Sequence, residues 1–495
     1  MKKLLRLFIL IPFLSFGQVQ IGQDIDGEAS EDFSGHSVSL SNDGSIIAIG
    51  APYNDGNGYR TGHVRVYENQ NGSWVQIGQD IDGEANADFS GYSVSLSSDG
   101  SIVAIGSSSN DGNGNSSGHV RVYGNQNGSW VQVGQDIDGE AAYDESGKSI
   151  SLSSDGSIIA IGASENSGNG NSSGHVRVYE NQNGSWVQVG QDINGEAAYD
   201  ESGISVSLSS DGSIVAIGAP YNDGNANNSG HVRVFENVSG TWIQVGQDID
   251  GETFDDESGW SISLSSDGSI IAIGAPENNG NYNNSGHVRV YENQNGSWIQ
   301  VGQDIDGEAA GDASGYSVSL SDDGNIIAIG AVGNDGNDEN DETLNHLGHV
   351  RVYYNVSDTW IQLGQDMDGE AHADYSGYSV SLSSDGSIVA IGALFNNDNG
   401  LNSGHVRVYD LSTLLSTKSF KLDYFKIYPN PTKNQFTIQL EDSTELQNVK
   451  IYNNLGQLVL ISNKSIINSS NLASGLYLVE IETNKGKSSK KLIIE

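Results

Sequence analysis

The phrase Gly-Gln-Asp-Ile-Asp-Gly-Glu, in two copies with one residue changed, recurs with its first glycine at Gly22, Gly78, Gly134, Gly190, Gly246, Gly302 and Gly364. The steps are 56 residues five times and then 62. Each copy holds the same four runs: Ser-Val-Ser-Leu-Ser, then Ser-Ile-Ile-Ala-Ile-Gly-Ala, then Gly-His-Val-Arg-Val-Tyr, then Gly-Ser-Trp-Val-Gln-Ile. Short apolar or alternating runs separated by Asp-Gly and Asn-Gly read as four strands joined by hairpins. Asp43-Gly44 and Asn71-Gly72 are the hairpin signals of the first copy. Val38 and Leu40 alternate with serines, whereas Ile46 to Ala51 is apolar throughout and reads as a strand buried on both faces. Four-stranded units repeated seven times bury their faces only against one another, which predicts blades arranged radially. The expected fold is all-β: a seven-bladed β-propeller over residues 18–410, with an open β-solenoid as the alternative.

The ends of the array fit a closed ring. The seventh copy stops at Asp410 without a tryptophan-bearing fourth strand, and Val19-Gln-Ile-Gly-Gln-Asp-Ile25 matches Val75-Gln-Ile-Gly-Gln-Asp-Ile81. The N-terminal strand is therefore expected to complete the last blade and remove its open edge.

With 64 acidic against 22 basic side chains, the chain carries a formal charge of −42, which excludes nucleic acid and anionic membrane as partners. The charge belongs to the repeats: residues 18–410 hold 57 acids and 9 bases, residues 411–495 only 7 and 10. The absence of cysteine excludes disulfides, thiolate metal sites and cysteine nucleophiles. Lys2, Lys3 and Arg6 ahead of the apolar stretch Leu7 to Phe16 read as a signal peptide over residues 1–17, and no later segment has the length and hydropathy of a transmembrane helix.

The copies resemble the FG-GAP-like repeats of secreted proteins, related to the integrin α-subunit propeller, through Phe33-Ser-Gly-His-Ser-Val-Ser-Leu40 and Ile49-Gly-Ala-Pro52. Integrin-type repeats carry an acidic calcium loop between their first two strands. Here Ser41-Asn-Asp-Gly44 is too short to be the same site. Residues 411–424 read as a linker. Residues 425–495, with strand-like runs at 436–440, 449–452, 457–461, 476–481 and 491–494, read as a small Ig-like β-sandwich. This tail resembles the type IX secretion C-terminal sorting domain (type A) of Bacteroidetes. The likeness rests on Tyr428, Pro429, Asn430 and Pro431, on Gly456 in Asn-Leu-Gly-Gln, on Gly475 and Tyr477, and on Lys491 near the terminus. It implies the type IX machinery as partner, removal of both chain ends, and a secreted or outer-membrane-surface location.

Within each connection from the fourth strand to the next first strand, acids recur as Asp24, Asp26, Glu28 and Asp32, then Asp80, Asp82, Glu84 and Asp88, and onward. Hard cations take six to eight oxygen ligands, so these loops are candidate Ca2+ sites, and the only cofactor expectation is Ca2+. The sixth copy's insertion places Asp335, Asn337, Glu339 and Asp341 at alternate positions and is a second candidate. Seven histidines, the first at His63, each have an arginine two places on; a two-residue turn at Asn71-Gly72 sets His63 opposite Asp80 and Arg65 diagonal to it, which reads as charge pairing within a hairpin rather than chemistry. Near-uniform copies argue against an enzyme, because a catalytic site breaks symmetry. The expected function is a secreted or surface-displayed binding and adhesion protein that contacts a glycan or protein at its acidic rim. The alternatives are a polysaccharide-acting glycosidase or lyase, and a structural surface-layer protein.

Overall fold

A computed structural model describes residues 17–336, 346–417, 425–440, 446–453, 458–470, 472–483 and 486–494. The chain divides into two compact units, Met1–Ser412 and Thr413–Glu495. Residues 1–16 of the segment read as a signal peptide lie outside the described residues. Among them no helix is long and apolar enough to cross a membrane.

In the first unit each repeat folds into the same antiparallel sheet. The first repeat gives Ser37–Leu40, Ile46–Ala51, His63–Asn69 and a fourth strand in two pieces, Trp74–Gln76 and Ile81–Asp82, both paired with the third. Ile47 to Ala51 are buried on both faces, as a continuous apolar strand requires. The two hairpins differ. Asn71 (φ 56°) and Gly72 (φ 85°) both take the left-handed conformation of a primed two-residue turn. Of Asp43-Gly44 only Gly44 does (φ 68°), and the wider turn is tied by Asp43 Oδ1, which accepts from Ser41 Oγ (2.9 Å), Ser45 N (2.9 Å) and Ser45 Oγ (2.6 Å). Asp43 Oδ1 thus serves the turn's own donors.

The break in the fourth strand corrects the expected histidine register. Tyr67 pairs with Gln76 as the turn dictates, but Gly78 (φ 76°) turns the chain out and the pairing resumes two residues later, with His63 opposite Asp82 rather than Asp80. Residues 77–80 face only residues 65–66 of the third strand between the paired segments, so the fourth strand bulges by two residues, and no turn rule anticipates it.

Neighbouring sheets meet along their first strands, and the alternating serines explain how. Ser39 Oγ accepts from Leu96 N (3.0 Å), and Ser37 Oγ donates to Gly91 O (2.8 Å). A Cβ built on Gly50 would stand 2.0 Å from Gly91 O, so the approach needs glycine. Both bonds recur from sheet to sheet, and the last sheet makes them to the first: Leu40 N donates to Ser381 Oγ (3.0 Å) and Ser379 Oγ to Gly35 O (2.8 Å). Main-chain bonds through Asn42, Ser98, Ser154, Ser210, Ser266, Asp322 and Ser384 likewise return to Asn42. The apolar core lies between the sheets: Val64, Val66 and Ile81 of one pack on Val94, Leu96, Ile105 and Trp130 of the next.

The N-terminal segment belongs to the last sheet. Val19 pairs with Asp410, Gln20 with Tyr409, Ile25 with Val406 and Asp26 with His405. The register that sets His63 opposite Asp82 thus places Asp26, not Asp24, opposite His405. Ile25, Val406 and Val408 share a core with Ile47, Ile49 and Trp74 of the first sheet.

A short helix, Ser412–Thr417, lies at the start of the segment read as a linker. In the second unit the strands form two sheets. A three-stranded sheet (Phe425–Tyr428, Gln435–Leu440, Ile466–Asn468) and a four-stranded one (Leu458–Ser462, Leu446–Tyr452, Gly475–Thr483, Gly486–Ile494) enclose a core of Phe425, Phe436, Val449, Ile451 and Val479. The strands at Phe425 and Ile466 go beyond the runs read from sequence.

Val19 and Asp410 are paired and Val19 is exposed, so a Val19→Cys, Asp410→Cys chain, otherwise free of cysteine, is expected to oxidise to one intramolecular disulfide and gain about 3 kcal/mol in urea unfolding. A folded protein that leaves both thiols free by mass would contradict the pairing.

Candidate functional site

The acids singled out in the connections do not gather loop by loop. Asp32 is buried and caps its own loop, with Oδ2 accepting from Glu28 N (3.1 Å) and Ala29 N (2.8 Å); Asp88 does the same for Glu84 N and Ala85 N. Glu28 lies 3.5 Å from the guanidinium of Arg65, and Glu84 3.4 Å from that of Arg121, each on the next sheet. The same guanidinium groups donate to the main-chain oxygens of Asp26 (2.7 Å) and Asp82 (2.8 Å). Asp80 accepts from Gln76 Nε2 (2.6 Å), as Asp24 does from Gln20, and approaches His63 Nδ1 at 4.0 Å. The charge pairing of the arginines therefore runs between sheets, not within one hairpin. Burial, then Arg65, holds the His63 imidazole down at about 4, so it is neutral. In the sixth connection Asp335 accepts from His346 N (2.8 Å), and Asn337, Glu339 and Asp341 lie outside the described residues.

The symmetry of the repeats breaks elsewhere. At the residue just before the first strand the copies read His36, Tyr92, Lys148, Ile204, Trp260, Tyr316 and Tyr378. Most of their side chains meet the next in turn: His36 lies tilted against Tyr92 (4.5 Å between centroids), Lys148 Nζ stands over Tyr92 (4.9 Å), Trp260 meets Tyr316 (5.6 Å), Tyr316 meets Tyr378 (5.1 Å), and Tyr378 returns to His36 (5.1 Å). Burial, together with Lys148, lowers His36 to about 4.

Two further variable positions flank this series. Three residues before it stand Phe33, Phe89, Glu145, Glu201, Glu257, Ala313 and Tyr375, and in the connection after the second strand Tyr53, Ser109, Glu165, Tyr221, Glu277, Gly333 and Phe395. They sort into two sectors. Tyr375, Phe395, Phe33, Tyr53 and Phe89 form an unbroken aromatic run with centroids 4.8 to 5.3 Å apart, beside which Arg60 covers Tyr53 at 5.2 Å. The third, fourth and fifth repeats supply glutamates instead. Burial and then Glu165 push Glu201 up to about 7, and burial and then Glu277 push Glu257 to the same value. Tyr221 rises to about 12 through burial and Glu257. Lys148 pairs with Glu145 (2.9 Å); burial opposes its charge, but Tyr92 and Glu145 outweigh it and keep it protonated. A cavity of about 490 Å³ opens in this sector, lined by Phe254, Asp255, Glu257, Glu277 and the amides of Asn228 and Asn284.

Phe33, Glu145, Glu201, Glu257 and Tyr375 all hold φ between 52° and 54°, a left-handed conformation that costs such residues about 1–3 kcal/mol. Glycine would relieve the cost, yet none of the seven copies uses it. The signal was available in the sequence, in the positions where near-identical copies disagree.

In the C-terminal unit Asn430 holds the last strand, donating from Nδ2 to Lys491 O (2.8 Å) and accepting from Ile493 N (2.9 Å). Tyr477 OH donates to Ala473 O (2.8 Å), Gly475 opens the long strand that carries Tyr477, Tyr428 and Pro429 are exposed beside Pro431, and Lys491 faces outward. Gly456 lies outside the described residues.

A family model of the secretion system C-terminal sorting domain matches residues 426–495, and one of the FG-GAP repeat matches residues 23–67, 194–235 and 366–409. Over 81 residues the chain is 40% identical to an ulvan lyase of Nonlabens ulvanivorans, a match that spans 15% of each protein's length. Among solved structures it is similar to hydrazine synthase of Kuenenia stuttgartiensis (14% identity, 78% of this chain and 97% of that one, TM-score 0.49). A 6-phosphogluconolactonase-like protein of Bacteroides uniformis gives 14% identity, 68% and 86% coverage and a TM-score of 0.48. The chain therefore carries FG-GAP repeats followed by a type IX secretion C-terminal sorting domain, and that tail marks it for export to the cell surface or the medium.

Proposed function

We propose that residues 18–410 form a closed seven-bladed β-propeller that serves as a binding and adhesion protein, that an Ig-like sorting sandwich follows it, and that the ligand is a glycan held where the blades differ. The observation that carries this reading is the split of the variable positions into an aromatic and a carboxylate sector. Aromatic faces take the apolar faces of sugar rings, and carboxylates accept from hydroxyl or ammonium groups. The hydrogen bonds that return from the seventh sheet to the first support the closed ring. Exposed rim carboxylates such as Asp26 and Asp82 supply Ca2+ with oxygen ligands at the edge of the site.

A second reading is favoured by one specific feature. Glu201 and Glu257, poised near 7, together with the cationic Lys148, are suited to general acid–base work on a polysaccharide. The similarity of a short segment to an ulvan lyase is in keeping with it.

Export predicts processing: intact mass of the surface or medium protein is expected to lack residues 1–17 and the tail beyond about residue 424, and recovery of a species ending at Glu495 would contradict it.

A glycan array probed with the propeller, in Ca2+ and in chelator, is expected to yield a ligand whose retention falls at least tenfold in Tyr53→Ala and in Glu201→Gln. Retention unchanged in both would remove the site from the variable face. Release of unsaturated or reducing ends from a bound polysaccharide would replace adhesion by catalysis.

Because Glu201 and Glu257 rise above the ordinary carboxyl range in the folded chain, their contribution to stability is full below about pH 4.5 and is lost as pH climbs through 7. Glu201→Gln is therefore expected to melt higher than the parent at pH 8, by the equivalent of about 1 kcal/mol after allowance for solvent screening. At pH 4.5 the two should melt alike.

A further inference from the structure

Six of the connections between second and third strands place a glycine two residues after a buried asparagine, at Gly56, Gly112, Gly168, Gly224, Gly280 and Gly336. The seventh places Asp398 there. A side chain at this position heads for the acid opposite the histidine: a Cβ built on Gly280 comes within 3.2 Å of Asp306 Oδ1, and one on Gly112 within 3.4 Å of Asp138 Oδ1. The extra carboxylate joins a group the other sheets have only in part. Carboxylate oxygens of Asp24, Glu370 and Asp398 and a ring nitrogen of His405 lie within 4.8 Å of one another.

His405 supplies an independent sign of a ligand. It is fully buried, its Nδ1 points at Asp24 Oδ2 from 3.8 Å, too far for a hydrogen bond, and neither ring nitrogen has a hydrogen-bond partner. In the six corresponding histidines only Nε2 is orphaned in this way. Asp374, also fully buried, leaves its Oδ1 without a partner and adds negative charge near His405. Arg407, 3.6 Å from Glu370 Oε1, offsets one charge of this group, which stays net negative.

We propose that Asp24, Glu370, Asp398 and His405 bind one divalent cation of the zinc class, and that this ion ties the N-terminal segment to the last sheet. The donor set chooses the metal. One imidazole nitrogen with carboxylate oxygens suits Zn2+, whereas Ca2+ takes oxygen ligands alone. The donors also fix the consequence. Asp24 comes from the start of the array and the other three from its end, so the site exists only while the ends are joined, and an ion bound there stabilises the joined state by mass action.

The test uses tag-free protein with both ends processed, stripped by chelator, titrated calorimetrically with Zn2+ alone and with Ca2+ alone. One Zn2+ per chain is expected, with a melting temperature that rises with excess Zn2+, and Ca2+ at least tenfold weaker. Asp398→Gly, which gives the last connection the glycine of its six siblings and so preserves folding, should weaken Zn2+ binding at least tenfold and abolish the rise in melting temperature. Asp80→Asn, at the place in the first sheet that Asp24 holds in the last, should change neither. Equal Zn2+ affinity in Asp398→Gly and the parent, several equivalent sites per chain, or no binding by the parent would each overturn the proposal.

Discussion

Contact between neighbouring first strands governs everything else in the repeat unit. Ser39 Oγ accepts from the main chain of the next sheet, Ser37 Oγ donates to it, and Gly50 lets that main chain come within a distance no Cβ permits. A serine hydroxyl is short, donates and accepts, and can satisfy the main-chain groups of a neighbour that no strand ladder reaches. The alternation of apolar and serine residues is thus two instructions in one strand: Val38 and Leu40 pack within the core while Ser37 and Ser39 bind the adjacent sheet. Because the contact is made by residues that every copy shares, each seam is the same, and the seam between last and first sheet is made like the others.

A second consequence is electrostatic. A chain with a formal charge of −42 has few cations, and the repeats spend an arginine at every seam. Arg65 is nearly buried, bridges to Glu28 and bonds the Asp26 carbonyl of the preceding connection, and each copy repeats the arrangement. The pairing joins sheets rather than strands, which is where separate antiparallel sheets need it. Other carboxylates cap loops, as Asp32 does, or tie turns, as Asp43 does.

Uniform seams free a small set of positions from structural duty. The residues just before the first strand and early in the second connection touch one another around the unit but do not make the seams, and there the copies diverge into Phe33 and Tyr53 on one side and Glu201, Glu257 and Glu277 on the other. The left-handed backbone beneath Phe33 and Glu201 is local strain that a strongly determined scaffold can carry. Nearly identical sheets thus carry different side chains at these positions while the seams between them stay the same.

What the sequence determined by itself is the repeat: strand order, hairpin turns at Asn71-Gly72, the doubly buried second strand and the assignment of Val19 to Ile25 to the seventh sheet all follow from local turn chemistry, hydrophobic period and the phase of the copies. The sorting tail was legible for the same reason, since its motifs are contiguous. The destinations of the acids were not. Asp24, Asp26, Glu28 and Asp32 look like one loop's ligand set in the sequence, yet Glu28 turns to Arg65 and Asp32 to its own amides, because the partners arrive from neighbouring sheets some 35 to 40 residues away or from the loop's own main chain. The two-residue slip at Gly78 moved Asp82 opposite His63, since a left-handed glycine between two paired segments is decided by packing against the next sheet's tryptophan and not by the turn. Only the tertiary structure brought variable positions of several copies into one aromatic and one acidic sector, and set Asp24 from one end of the array beside Asp398 and His405 from the other, because the N-terminal segment pairs with the last strand of the array.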